Sequence, residues 1–138
     1  MLKKRIKYVD YNGEQRDEDF YFNLTKAEIA RMQYSKDGNF GDKIRQIARS
    51  HDSNELMRVF EQIILMSYGK KSEDGRRFMK GDEISREFLE SPAYDELYFE
   101  LVGDAEKFAD FVNSLIPPDL AQKVEQMRAN GEIPDLLE

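Results

Sequence analysis

Apolar and polar residues alternate at two places near the start of the chain, Ile6-Lys7-Tyr8-Val9 and Phe20-Tyr21-Phe22-Asn23-Leu24, with Asn12-Gly13 between them. Period-two runs flanking an Asn-Gly pair predict a β-hairpin over residues 4–24. A two-residue Asn-Gly loop would pair Tyr11 with Glu14 and set Ile6 against Asp19, which wastes the apolar face. Shifting the register by one sets Ile6 against Phe20, Lys4 against Phe22 and Lys7 against Asp19, and gathers the apolar side chains on one side. A bulge or a longer loop is therefore expected.

Beyond the hairpin the period changes to that of a helix. Thr25-Lys26-Ala27-Glu28 is a capping box that opens a helix to about Tyr34. Asp37-Gly38-Asn39 breaks it, and Phe40, Ile44 and Ile47 mark a short amphipathic helix with His51 at its end. A second capping box, Asp52-Ser53-Asn54-Glu55, opens a helix whose Leu56, Met57, Val59, Phe60, Ile63, Ile64, Leu65 and Met66 leave little polar surface, the pattern of a central buried helix. Tyr68-Gly69 ends it. Residues 70–77 read as a loop with Asp74-Gly75 as a turn signal, and Phe78 and Met79 fold back onto the core.

Asp82 to Leu89 forms another short helix. Ser91-Pro92 starts the next, in which Tyr94, Leu97, Tyr98, Leu101 and Val102 keep helical spacing. Gly103-Asp104 stops it and begins a further helix with Ala105, Phe108, Ala109, Val112, Leu115 and Ile116 on one stripe, so the two are expected to pair over the central helix. After Pro117-Pro118 a last amphipathic helix carries Leu120, Val124 and Met127 and stops at Asn130-Gly131. The expected fold is mainly α: a compact helical domain of about six to seven helices with an N-terminal β-hairpin. Residues 1–130 form a single domain with the hairpin at 1–24, and residues 131–138 form an acidic C-terminal tail. Tyr21, Tyr34, Phe99 and Phe111 fall on faces away from the core, where aromatics are candidates for partner contacts.

Composition narrows the chemistry. The 138 residues are 40% hydrophobic and 36% charged, which suits one folded domain. With no cysteine, thiolate nucleophiles and thiolate metal sites are excluded, and His51, the one histidine, supplies no two-histidine site. His51 has Asp52, Ser50 and Ser53 beside it, but neighbours on a helix point about 100° apart, so the cluster makes no triad and suits a helix end. Glu96 and Glu100 share a helix face near Asp95, where a hydrated magnesium ion is conceivable; no Asp-rich loop motif completes such a site, and a solvated acidic face is the plainer reading. No phosphate-cradling glycine-rich loop is present. The expectation is no catalysis, no cofactor and no metal. The sequence shows no membrane span and no secretory leader, so the expected location is the cytoplasm.

Charge is segregated. The formal net charge is −7, and residues 82–110 hold ten carboxylates against Arg86 and Lys107, which leaves the rest of the chain near neutral. Bases collect at Lys3, Lys4, Arg5 and Lys7, and again at Lys70, Lys71, Arg76, Arg77 and Lys80. Arginine forks suit carboxylates, so Arg76 and Arg77 are candidates for contact with an acidic protein surface, with Phe78, Tyr98 and Phe99 as apolar partners. Opposite charges on one chain also allow a homo-oligomer. Binding of RNA or DNA by residues 70–80 fits poorly with an acidic chain.

Residues 64–80, from Ile64-Leu65-Met66-Ser67-Tyr68-Gly69 through Arg76-Arg77-Phe78-Met79-Lys80, resemble a group of small phage and prophage proteins. So do Ser91-Pro92-Ala93-Tyr94-Asp95-Glu96-Leu97-Tyr98-Phe99-Glu100-Leu101, Phe108 to Pro117, and the opening hairpin with Tyr21 to Thr25. The group comes from the tail-gene modules of long-tailed phages and is commonly taken as tail assembly chaperones. The resemblance implies a protein of virion morphogenesis, made in the bacterial host cytoplasm, that binds the tape-measure protein, keeps it soluble and helps recruit tail-tube protein. Three other readings make different predictions: a tail-completion or connector component retained in the particle, a small DNA-binding regulator, and a carboxylate-dependent metal enzyme.

Overall fold

The computed structural model of the chain describes residues 1–32 and 53–117. Strands β1 (Leu2–Val9) and β2 (Gln15–Phe22) form the expected N-terminal hairpin, followed by helix α1 (Lys26–Met32). Helix α2 (Ser53–Ser67) leads directly into a second hairpin of β3 (Tyr68–Lys71) and β4 (Phe78–Met79). Helices α3 (Asp82–Leu89), α4 (Pro92–Val102) and α5 (Ala105–Leu115) complete the described fold.

The two hairpins join into one antiparallel sheet in the order β1-β2-β3-β4, because Phe22 pairs with Tyr68 and Tyr21 with Gly69. This overturns the mainly helical expectation of six to seven helices. The described residues form a mixed α+β fold with five helices and four strands. The stretch read as a loop at 70–77 carries a strand on either side, and Phe78 and Met79 are half-buried strand residues rather than core. Strands of four and two residues are too short to show a period of two.

The first hairpin closes through a longer loop, as expected, but in a different register. Ile6 opposes Glu18, Lys4 opposes Phe20 and Leu2 opposes Phe22. The cause is Asp10. Its N–H donates to Glu14 O at 2.9 Å, its O accepts from Gly13 N–H at 3.0 Å, and Gly13 stands at φ 82°, the three-residue loop that ends on a left-handed glycine. The Asp10 carboxylate also accepts from the N–H groups of Asn12 and Glu14 and from Arg16 Nε. The Glu14 N–H, together with Arg16, holds its carboxyl below the usual carboxylate range.

Even-numbered hairpin residues face the helices. Phe22 is fully buried and meets Phe88 of α3 at 5.6 Å, Phe111 of α5 at 5.4 Å and Tyr68 of β3 at 5.6 Å, a cluster of tilted and edge-on rings that ties sheet to helices. Tyr68 and Phe88 stack at 4.4 Å. Phe111 therefore belongs to the core and not to an outer face. The buried stripe of α5 is one residue wider than its spacing suggests because β2 lies against it. Among the described side chains of α2, Val59, Phe60, Ile63, Ile64 and Ser67 are buried, while Met57 is exposed, so this helix is amphipathic.

The helix starts follow ordinary rules. The first capping box forms as expected: Glu28 N–H donates to Thr25 Oγ1 at 3.1 Å and Thr25 N–H to Glu28 Oε1 at 3.0 Å. Asp104 caps α5 by accepting from the N–H groups of Glu106 and Lys107. Ser91 precedes Pro92 at the start of α4, but its hydroxyl donates backwards to Phe88 O at 2.7 Å instead of capping. The helix expected around Phe40 to Ile47, Tyr34, His51, Asp52 at the head of the second capping box, the last amphipathic helix and the acidic tail lie outside the described residues.

Candidate interaction surface

Arg76 and Arg77 sit at the tip of the second hairpin, which builds its own cage. Gly75, at φ 75°, donates its N–H to Ser72 O, and Ser72 N–H donates to Arg77 O at 2.9 Å. Ser72 Oγ donates to Asp74 Oδ1 at 2.7 Å and accepts from Arg77 N–H, while Asp74 accepts from Arg76 N–H at 3.0 Å. Ser72 and the Arg76 N–H hold the Asp74 carboxyl below its ordinary range. The backbone of both arginines is fixed in this way, and both side chains are exposed.

Two other bases of this stretch, Lys70 and Lys80, are committed to the fold, while Lys71 is exposed. Lys70 Nζ meets Glu87 of α3 at 2.6 Å. Lys80 Nζ reaches Glu28 of α1 at 2.6 Å and also donates to Asn23 O at 2.6 Å. Burial pulls the Lys80 ammonium below its ordinary value despite the Glu28 partner. Lys80 Nζ also lies 5.7 Å from the centroid of the Phe78 ring. Phe78 packs over Gly69, where a Cβ would come within 2.6 Å of the Phe78 ring and 2.8 Å of Met79 O. Phe78 thus works as a lid on the β3–β4 pair, and its ring is half-buried.

Tyr98 and Phe99 lie on α4. Tyr98 is half-buried, stacks on Tyr94 at 5.7 Å and meets Phe99 edge-on at 5.6 Å and 87°. Burial raises the Tyr98 hydroxyl above its ordinary pKa, and more strongly that of Tyr94. Phe99 projects with 70% of its surface exposed. Helix α4 packs mainly on β1 and α5, and Lys4 of β1 binds Glu100 at 2.7 Å. Since β1 and β4 are opposite edges of the sheet, the fold separates Tyr98 and Phe99 from Arg76, Arg77 and Phe78. The sequence-derived set is two surfaces.

A third surface escaped the sequence reading. The tip of the first hairpin extends beyond β3 and leaves Val9 54% and Tyr11 84% exposed. Between this tip and Glu96 of α4 lies a cleft of about 570 Å³ lined by Lys7, Tyr8, Val9, Gln15, Arg16 and Asp17. The Tyr8 hydroxyl donates to Glu18, which pushes its pKa up to about 12. The signal available in the sequence was the length of the hairpin relative to any strand that could flank it.

Glu100 is taken by Lys4 and Glu96 lines the cleft, and among the described residues no group of three or more His, Asp and Glu is arranged to hold a metal ion. No described helix is long and apolar enough to cross a membrane. A family model described as "phage tail assembly chaperone" matches residues 1–135. No curated protein and no solved structure matches the chain.

Proposed function

The chain belongs to the phage tail assembly chaperone family, and from that premise we propose that it binds the tape-measure protein, keeps its apolar helices soluble and promotes assembly of the tail tube without catalysing a reaction. The observation that carries this reading is Phe99, an aromatic ring 70% exposed on a helix that packs its other face into the core, and braced edge-on by Tyr98. Rigid aromatics that protrude from a packed scaffold make good anchors, because little side-chain entropy is lost when a partner covers them.

A tape measure is a long helical chain with apolar stripes, and such a stripe laid against α4 would cover Phe99 with Tyr98. The acidic residues around it, Asp95 and Glu96, keep the assembly soluble and disfavour wrong pairings. Arg76 and Arg77, held at the opposite edge of the sheet, are proposed as a second contact that forks onto carboxylates of a tail protein. The working compartment is the cytoplasm of the bacterial host.

Co-expression with the tape-measure protein of the same genome tests the proposal. The expected result is a soluble complex of fixed stoichiometry. Recovery of this chain as a stoichiometric component of finished tails, with no soluble tape-measure complex, would favour a structural component of the particle instead.

A further inference from the structure

The hydrogen bonds at the tip of the first hairpin set the phase of the whole β1–β2 ladder. Asp10 and Glu14 form a hydrogen-bonded pair, so the next such pairs are Tyr8–Arg16, Ile6–Glu18, Lys4–Phe20 and Leu2–Phe22. The other edge of β2 agrees with this phase: Asn23 N–H donates to Ser67 O at 2.8 Å, and Tyr21 pairs with Gly69, so the odd residues of β2 turn their backbone groups toward β3. On β1 the odd residues Lys3, Arg5, Lys7 and Val9 must then turn their N–H and C=O groups away from the sheet. Each of these four side chains is exposed, and no described backbone group bonds to them from outside the hairpin. Among the described residues the result is an open strand edge with backbone groups repeating about every 6.8 Å.

From this edge we infer that β1 accepts an extended, acidic segment of another protein as a fifth strand. The charge on the edge selects the occupant. β1 reads Leu-Lys-Lys-Arg-Ile-Lys-Tyr-Val, and the strand it already holds, β2, places Asp17 opposite Lys7 and Asp19 opposite Arg5. Arg5 reaches both carboxylates, at 2.8 Å to Asp17 and 3.3 Å to Asp19. An acidic strand on the free side would repeat that arrangement and place a carboxylate beside Lys7, for which β2 supplies no ion pair closer than 4 Å among the described residues.

The same charges reject the obvious alternative. Pairing β1 with β1 of a second copy would set a strand of four cations against its equal, and like charges across a strand pair are destabilising. The opposite edge of the sheet, β4, is two residues long and offers no comparable ladder. The inference concerns backbone recognition of an extended segment and does not depend on whether the tape-measure protein docks at Phe99.

The test uses the full chain labelled with ¹⁵N and a blocked octapeptide alternating Glu and Val, with the Lys-Val octapeptide as control. Amide exchange of Lys3, Arg5, Lys7 and Val9 is expected to be fast in the free chain and to slow by about tenfold or more with the acidic peptide, while Lys4, Ile6 and Tyr8 are protected throughout. Lys7→Pro removes one outward N–H without touching a β1–β2 bond and should weaken peptide binding by about tenfold. Lys7→Glu leaves the backbone intact and should weaken it as well, so the inference stays testable if the proline variant misfolds. Unchanged exchange at Arg5 and Lys7 under saturating peptide overturns the inference. So does equal binding of the Lys-Val peptide, protection that appears at Asp17 and Asp19 instead, or protection that grows with protein concentration in the absence of peptide.

Discussion

Replacing Phe99 by serine separates a contact residue from a core residue with a single substitution. Only three-tenths of its surface is buried, and its ring meets Tyr98 edge-on at 5.6 Å. The folded state should therefore lose about 1 kcal/mol or less, the worth of one edge-on ring pair and a partly covered side chain. Binding should respond more strongly. A phenylalanine buries about 200 Å² in full, so the exposed part is about 140 Å², and half to all of it removed from water at about 25 cal/mol per Å² is worth roughly 1.5 to 3.5 kcal/mol. The expected loss of affinity for the tape-measure protein is then about ten- to several-hundredfold. Urea denaturation with a constant m-value measures the first effect, and titration calorimetry on the purified complex measures the second. A stability loss above about 2 kcal/mol would show that Phe99 is structural, and unchanged affinity would remove α4 as the contact surface.

Three other expectations concern the scaffold and the second surface. Gly69→Ala should destabilise the chain by about 2 kcal/mol in urea denaturation, because the new methyl group would stand 2.8 Å from the backbone oxygen of Met79, which cannot swing aside. Burial pushes the Glu28 carboxyl up, but Lys80 and the Thr25 N–H outweigh it and hold its pKa below the ordinary 4.5. A depressed folded-state pKa means that this stabilisation is fully present above about pH 4.5 and disappears as pH falls through the folded value, so Glu28→Gln should lower stability at pH 7 and flatten the acid limb of the stability-pH curve. Arg76→Glu with Arg77→Glu should leave the melting temperature within experimental scatter, since both side chains are exposed, and should weaken binding to an acidic tail protein in a way that high salt reproduces in the wild-type chain.

The elements with a long period were legible in the sequence, and the pieces whose meaning depends on a distant neighbour were not. The capping box at Thr25, the Asp104 stop and start, the stripe of α4 and, apart from Phe111, the stripe of α5 could be read from spacing alone. Strands β3 and β4 could not, because Tyr68-Gly69 and Phe78-Met79 become strands only by pairing with β2 and with each other. The hairpin register differed because Asp10 directs its carboxylate at two loop N–H groups, a local competition that the apolar pattern of the strands does not reveal. Of the candidate contact residues, Phe99 is as exposed as expected. Phe78 is half-buried over Gly69, a close approach that the missing Cβ allows and that spacing does not show, and Phe111 packs on Phe22 in the core. The separation of the arginine tip from Tyr98 and Phe99 follows from strand order, a property of the assembled sheet.

The most direct measurement is co-expression of the chain with its own tape-measure protein, followed by affinity capture and sizing of the soluble fraction. Binding and solubilisation predict that the tape measure, insoluble when made alone, is recovered in a stoichiometric complex, and that Phe99→Ser returns most of it to the pellet. A tape measure that stays insoluble in the presence of the folded wild-type chain would contradict the account.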